Sequence, residues 1–309
     1  MQVTEDNLTQ WFRDQRPLDA QRVPIGIGDD MAQVNLASHD SVLITADMLL
    51  EGIHFDLIRA SLEQVGYKSM AASLSDCAAM ACEPKGAVIS LGLPSSFSSE
   101  SLKQLHQGLL QAADRFDCPI VGGDLTRGSQ GLVINVAMFG IPMHNQPVPR
   151  YGAKPGDTLL VTGTLGGSLA GHHLDFTPRL AEARRLVELV EIHAMMDLSD
   201  GLSRDLPRLC RASHVGARLD REALPLSAAA QDSPDPVGAA LHDGEDFELL
   251  LAVDVGDVDR LLKDWNLSTP LHRIGRCTDT LSIQIQNLNG SWEMLISAGY
   301  DHFSQDTRS

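Results

Sequence analysis

The sequence predicts an α/β fold of mixed α and β structure in two domains, and three observations support this. Helical and strand patterns alternate along the whole chain. The 309 residues exceed the usual size of a single domain. Residues 142–157 hold four prolines and two glycines and show neither the helical nor the strand period of apolar residues, so they separate two halves. We therefore predict domains at residues 1–148 and 149–309.

In the first half, residues 41–47 have the pattern of a buried strand that ends at Asp47, and Pro94 closes a second strand at 86–93. Residues 99–116 form the clearest amphipathic helix, because apolar side chains recur there at i, i+3, i+4 and i+7. The other elements predicted for this half are a helix at 62–82 and strands at 119–124 and 131–141.

The second half repeats this alternation of strands and helices after the proline-rich segment. The predicted strands are 157–163, 215–219, 247–253 and 281–286, and residues 194–198 form an apolar run. The predicted helices are one that starts at Gly167 and others at 178–192, 201–212 and 256–265. Residues 227–238 are predicted to form an irregular surface loop.

The charge balance is strongly acidic, with 24 Lys and Arg against 41 Asp and Glu, a formal charge of −17. Proteins that bind nucleic acids or anionic membranes need a basic face, so neither partner is expected. Five scattered cysteines without a C-x-x-C pair favour the reducing cytoplasm over a disulfide framework. The longest nearly apolar run, residues 132–143, is too short to span a bilayer, and the first residues do not have the pattern of a signal peptide.

Aspartates near turns and predicted strand ends are the chief candidates for chemistry. A P-loop is absent, and Met31 replaces the third glycine of a dinucleotide-binding motif. Each aspartate alone is explained as a cap or turn residue, and Ser199 or Asp200 is well placed to cap the helix at 201–212. Several together favour convergence in one crevice. The aspartates concerned are Asp29, Asp30, Asp47, Asp124, Asp197 and Asp200, and Asp76 joins them from inside a predicted helix.

Carboxylates without partner histidines or cysteines favour Mg²⁺, and Mg²⁺ with a carboxylate cluster suggests phosphate chemistry. Asp76 supports this, since it lies inside a predicted helix where an ionised carboxylate needs a partner such as a metal ion. Arg150 is a weaker candidate for phosphate binding, and His54 taken alone fits a structural role at least as well.

Taken together, the motifs resemble the thiamine-monophosphate kinases of the aminoimidazole ribonucleotide synthetase superfamily. The resemblance runs nearly end to end and is specific through the order of its segments. These are GIGDD (26–30), TADMLLEGIHF (45–55), LSDCAAM (74–80), VGGDLTRG (121–128), YGAKPGD (151–157), DLSDGL (197–202), GEDFEL (244–249) and GYDHF (299–303).

The resemblance implies two α/β domains, with the N-terminal domains of two chains paired in a β-barrel as a homodimer. It implies that several Mg²⁺ ions are bound by Asp30, Thr45, Asp47, Asp76, Asp124, Asp197 and Asp200. It implies ATP contacts from Gly123, Asp124, Arg150 and Ser199, and thiamine phosphate contacts from His54, Glu245 and Tyr300. Among the metal ligands, we assign catalytic importance to Asp47, Asp124 and Asp197.

The activity that the resemblance implies is ATP-dependent phosphorylation of thiamine phosphate to thiamine diphosphate. The acceptor is an ionised phosphate oxygen, so a general base is unnecessary and direct transfer is expected. The alternatives are another ATP-using enzyme of the superfamily, a silent protein that binds ATP and Mg²⁺, and an acidic protein whose aspartates only cap helices and turns.

Overall fold

The computed structural model of the protein describes residues 19–36 and 41–300, together with Gln10 and Asp14. Two mixed sheets dominate it, which confirms the α/β class. The first sheet has five strands in the order β1-β2-β5-β3-β4: β1 Ala32–Asn35, β2 Ser41–Leu50, β3 Cys82–Pro94, β4 Ile120–Ser129 and β5 Val133–Pro142. The two sheets lie on either side of residue 148 along the chain, and the domain boundary itself stays a prediction.

The second sheet has seven strands in the order β12-β11-β8-β10-β6-β9-β7. Their bounds are β6 Thr158–Thr162, β7 Ile192–Asp197, β8 Gly216–Leu219, β9 Leu249–Val253, β10 Leu271–Thr278, β11 Ile283–Gln286 and β12 Trp292–Met294. The described helices are α1 Leu62–Ala79, α2 Ser99–Arg115, α3 Leu180–Leu189, α4 Leu202–Ser213, α5 Ala228–Gln231, α6 Pro236–His242 and α7 Val258–Asp264. None of these helices combines the length and the apolar character that crossing a bilayer requires.

Helix α1 is the central element, because it contacts β2, β3 and β5 of the first sheet and also β7 and α3 of the second half. A capping box fixes its start: the Ser61 hydroxyl accepts from the Gln64 amide, and the Gln64 side chain accepts from the Ser61 amide. Thirteen of its 18 residues are buried. Gly66 and Gly108 let α1 and α2 approach closely, since a Cβ on Gly66 would lie 2.2 Å from the Leu105 carbonyl oxygen.

Most neighbouring strands are antiparallel, and the described parallel pairs are β3–β4 and β8–β11. The expectation that the aspartates follow strand ends is correct for Asp197, the last residue of β7. It is wrong for Asp47 and Asp124, which lie within β2 and β4, because both strands continue past them. Carboxylates therefore do not meet here through the carboxyl ends of one parallel sheet.

Two local predictions for the second half are wrong. Instead of a helix from Gly167 there are two short 3₁₀ turns, because Gly167 and Gly171 have positive φ angles of 71° and 140° and interrupt the helix. The predicted loop at 227–238 contains α5 and the start of α6. Their first turns are capped by the Ser227 hydroxyl and the Asp235 carboxylate, which accept backbone N–H bonds of 2.9 and 3.0 Å.

The apolar core continues from one half into the other. One cluster joins α1 and the first sheet to α3 and to one face of the second sheet, and it includes Met70, Phe176 and Leu251. A second cluster covers the opposite face of the seven-stranded sheet under α4 and α6. Because α1 is shared between the halves, side chains from both can be held in fixed positions around it.

Candidate active site

A cavity of about 870 Å³ opens between the two halves. Thr45, Asp47 and Asp76 of the first half line it, and so do Ser199 and Glu245 of the second. Its volume and its convergent polar side chains are typical of a site for a small-molecule ligand. Eleven residues of the predicted set lie in or beside it: Asp30, Thr45, Asp47, His54, Asp76, Arg150, Asp197, Ser199, Asp200, Glu245 and Tyr300.

Three carboxylates meet at one end of this cavity, which we call the carboxylate cluster: Asp30, Asp76 and Asp197 each offer one oxygen, and these oxygens lie within 4.8 Å of one another. Two of these carboxylates each accept a hydrogen bond from a hydroxyl group. Thr45 Oγ1 donates to Asp76 at 2.5 Å, and Ser75 Oγ donates to Asp197 at 2.6 Å. The third carboxylate, Asp30, is oriented by an ion pair of 2.5 Å with Arg150 Nη2.

Asp47 lies beside the cluster and accepts a hydrogen bond of 2.7 Å from Ser73 Oγ. Burial raises the pKa of Asp47, and the charge of Asp30 raises it further, while the Ser73 bond acts in the opposite direction. Burial followed by the neighbouring aspartates holds the pKa of Asp76 well above its ordinary value, and burial followed by Asp30 does the same for Asp197. Like charges this close are mutually destabilising unless a cation or a proton compensates them.

The donor set fits a hard divalent cation. The cluster offers only oxygen atoms, the ligands that Mg²⁺ prefers, and no histidine or cysteine belongs to it. Asp30 Oδ2 is buried and has no hydrogen-bond partner, which is costly unless something else satisfies it. The carboxylate cluster is therefore suited to bind Mg²⁺ directly.

Asp200 lies at the cavity wall but is paired differently. Its Oδ2 accepts from Arg208 Nη1 at 2.6 Å and lies 3.8 Å from Arg204 Nε. Its backbone N–H donates to the buried Asp205 at 2.9 Å. The expectation that Ser199 or Asp200 caps the following helix is wrong, because Gly201 is the N-cap residue of α4 and no side chain caps it.

The predicted substrate contacts His54, Glu245 and Tyr300 also line the cavity. His54 Nδ1 accepts from the Leu50 N–H at 3.0 Å. Glu245 donates its N–H to the Ser199 carbonyl at 2.7 Å and has the unusual φ of +53°. Tyr300 is held through a backbone bond of 3.1 Å to Asp200, and the rest of the GYDHF motif, residues 301–303, lies outside the described residues.

Gly123 and Asp124 are the two predicted site residues that the structure does not bring to the cavity. Their strand β4 is the edge of the first sheet, and β3 and β5 separate it from β2, which carries Asp47. Asp124 pairs with the exposed Ser90 on the face of the sheet that α1 does not cover, and it is itself exposed.

Two models of known protein domains match most of the chain. Residues 28–142 match the model of the AIR synthase related protein N-terminal domain, and residues 154–286 match that of the C-terminal domain. A thiamine-monophosphate kinase of Rhodopirellula baltica is 35% identical over 297 residues, covering 92% of this chain and 93% of that protein. The chain belongs to the thiamine-monophosphate kinase family. The Escherichia coli K12 thiamine-monophosphate kinase is 34% identical, covering 91% and 93%.

Solved structures of thiamine-monophosphate kinases share this architecture. One described as "AaThiL complexed with AMPPCP and TMP" has a TM-score of 0.84 and 28% identity, covering 98% of this chain and 99% of that one. The Stenotrophomonas maltophilia enzyme has a TM-score of 0.73 and 29% identity, covering 93% and 96%. A HypE–HypF complex matches at 20% identity with a TM-score of 0.75, which shows a common fold.

Two lining residues of this thiamine-monophosphate kinase family member, Lys68 and Phe247, were not predicted from its sequence, and Asp29 is one of the candidate aspartates to which no role was assigned. Asp29 accepts the Arg150 N–H at 3.0 Å, and burial, then Asp30, raises its pKa to about 6. The available signal for Lys68 is that it is the one positive charge in the predicted helix at 62–82, where every residue from 69 to 82 except Asp76 is apolar or small.

Proposed function

We propose that this chain transfers the γ-phosphoryl group of ATP to thiamine phosphate, giving thiamine diphosphate and ADP. The observation that carries the proposal is the carboxylate cluster in an interdomain cavity of a chain 35% identical to a thiamine-monophosphate kinase. The related structure described as a complex with AMPPCP, an ATP analogue, and TMP supports both substrates. The described cysteines are free and buried, which suits the cytoplasm that we propose as its location.

Charge, rather than proton transfer, is the difficulty that this reaction presents. The accepting phosphate oxygen is ionised near neutral pH, so the protein needs no general base and no covalent phosphoenzyme. Two anionic groups must instead approach each other inside a protein of net charge −17. The work of the site is therefore to hold both substrates in line and to compensate their charge.

We propose that Asp30, Asp76 and Asp197 hold Mg²⁺ directly, with Asp47 and Thr45 beside them and Asp200 further along the wall. Bound Mg²⁺ supplies neutralisation of the phosphate oxygens and of the charge that develops during transfer. The hydroxyl groups of Ser73, Ser75 and Thr45 keep three carboxylates in fixed orientations, so little reorganisation is needed when the cation binds.

The ATP contacts that we propose are Arg150 and Ser199 in the cavity, together with Gly123 and Asp124 on the edge strand β4, which lies outside the cavity. Arg150 already bonds Asp30, and its guanidinium can also reach phosphate oxygens because the side chain is 16% exposed and lines the cavity. We also propose Asp124 as a metal ligand, although β3 and β5 separate its strand from β2.

We also propose that two chains pair through the first sheet. Strand β4 is an edge strand in which residues 121–128 are exposed, and such edges favour pairing with another chain. The face that α1 does not cover presents large apolar side chains that are 36–55% exposed. They are Ile44, Met48, Val88, Phe139 and Ile141.

The test is to supply ATP and Mg²⁺ with thiamine phosphate, with unphosphorylated thiamine, or with no acceptor, and to separate the products by chromatography. We expect thiamine diphosphate from thiamine phosphate alone, and none after EDTA is added. ADP without thiamine diphosphate would favour another reaction of the superfamily. Binding of ATP and Mg²⁺ without any turnover would favour a silent nucleotide-binding protein.

A further inference from the structure

Helix α1 presents one face to the cavity along its length. Lys68, Ala72 and Asp76 are spaced four residues apart, so they lie above one another on that face, and all three line the cavity. Eight residues of α-helix rise about 12 Å. One helix therefore connects the carboxylate cluster, at Asp76, to the opposite end of the cavity, at Lys68.

Lys68 is among the most deeply buried side chains of the described protein, with 1% of its surface exposed. Its ammonium group donates to the His54 carbonyl oxygen at 2.6 Å and to Glu245 Oε1 at 2.7 Å. These partners are two of the three proposed thiamine phosphate contacts, one from each half of the chain. Burial lowers the pKa of Lys68 and the Glu245 charge acts against that shift, so the ion pair helps to keep the lysine charged.

The segment around Glu245 needs such an anchor. Glu245 and Phe247 both have positive φ angles, +53° and +50°, which side chains other than glycine rarely adopt. The Phe247 ring is stacked on Phe176 with centroids 4.0 Å apart, which fixes the far side of the loop. Lys68 fixes the near side, where the Glu245 carboxylate lines the cavity.

We propose that Lys68 is a positioning residue that sets the specificity for the acceptor, by holding Glu245 and the His54 loop at a fixed distance along α1 from the carboxylate cluster. The proposal rests on the proposed function and deepens it. A Lys–Glu pair has no net charge, so Glu245 does not serve by itself as the counter-ion of a cationic ring. This end of the cavity therefore selects its acceptor by hydrogen bonds and shape.

The experiment compares Lys68→Met with the wild type in steady-state kinetics with each substrate varied in turn. We expect the KM for thiamine phosphate to rise at least about tenfold and the KM for ATP to stay within about twofold, because Lys68 contacts only the acceptor end. Lys263→Met, which removes an exposed lysine of α7, is the matched control and should change neither constant. Equal changes in both KM values, or no change, would overturn the proposal.

The double variant Lys68→Met/Glu245→Gln addresses folding, because it removes both members of the pair and leaves no unpaired buried charge. If Lys68 acts through Glu245, the two substitutions are non-additive, and the double variant has a smaller KM increase than the product of the single increases. Independent, multiplicative effects would overturn the proposal. If Lys68→Met does not fold, Lys68→Arg replaces it: the charge stays but the bonds to His54 and Glu245 change geometry, so the selective rise in acceptor KM is still expected, and its absence would overturn the proposal.

The outcomes separate this proposal from the proposed function. If the wild type forms thiamine diphosphate and the variants show no selectivity between substrates, the role of Lys68 is overturned and the activity stands. If the wild type does not turn over, calorimetric titration with thiamine phosphate tests Lys68 directly. Tenfold weaker binding to Lys68→Met would still support the role of Lys68, while equal binding, or none to the wild type, would overturn it.

Discussion

Replacing Asp76 by Asn should move stability and metal binding in opposite directions. In the metal-free protein Asp76 shares a space with two other carboxylates whose oxygens lie within 4.8 Å. Two unit charges at that separation repel by about 3 kcal/mol at an effective dielectric constant of about 20. Proton uptake by the wild type relieves part of this, so we expect Asp76→Asn to gain about 1–2 kcal/mol at pH 8. The amide oxygen can still accept the Thr45 hydroxyl.

The effect has a definite pH dependence. Burial and the neighbouring aspartates raise the folded pKa of Asp76 above that of the unfolded chain, so the folded state retains protons that the unfolded state has lost. For this group alone, the metal-free wild type is therefore most stable at and below the ordinary carboxyl pKa of about 4, and it loses stability as pH rises from there through the folded pKa. The advantage of Asp76→Asn should grow over the same range.

Thermal unfolding with EDTA and with Mg²⁺ measures both effects. At pH 8 with EDTA, Asp76→Asn should melt about 2–6 °C above the wild type. Mg²⁺ should raise the Tm of the wild type but raise that of the variant much less. Asp114→Asn, the same change on the exposed surface of α2, is the control and should alter neither quantity. A variant that melts lower than the wild type in EDTA, or keeps the full Mg²⁺ shift, would refute the reasoning.

Three further results are expected. Asp47→Asn should lower kcat by at least about 10² in the thiamine diphosphate assay, and a loss under about threefold would contradict its assignment as a catalytic metal ligand. Val88→Asp should convert the dimer to a monomer in sedimentation, while Val255→Asp, the same change at a more exposed valine of the second half, should not. An unchanged mass for Val88→Asp would exclude this face as the interface. Arg179 Nε donates to Glu248 Oε2 at 2.7 Å, so Glu248→Gln leaves the Arg179 charge poorly compensated. We expect this variant to lose about 3 kcal/mol of unfolding free energy in denaturant, and a loss under about 1 kcal/mol would contradict that explanation.

The sequence predicts the elements whose period is clear. Helix α2 is predicted at 99–116 and lies at Ser99–Arg115, because its apolar side chains recur at the helical spacing along one face. Strand β10, Leu271–Thr278, is not predicted, because His272, Arg273 and Arg276 interrupt the alternation of apolar and polar residues that indicates a strand. The end predicted for β2 at Asp47 is too early, because aspartate is common in turns and the tertiary contacts that hold it inside this strand are not visible in the sequence.

The site was predictable only where local sequence carries a signal. The acidic members of the cavity were found because a buried carboxylate such as Asp76 needs a partner, which is visible in the local sequence. Lys68 and Glu245 lie 177 residues apart, and only the packing of α1 between the halves brings them to 2.7 Å. Local patterns carry no information on such a pair, and the resemblance to the thiamine-monophosphate kinases supplied Glu245 but not its partner.

A single-turnover reaction with γ-³²P-labelled ATP tests the central claim most directly. Excess protein with Mg²⁺ and thiamine phosphate should move the label into thiamine diphosphate, one equivalent for each ADP formed, with none retained on acid-quenched protein. Label that appears only in inorganic phosphate, or stays on the protein, would contradict direct transfer from ATP to thiamine phosphate.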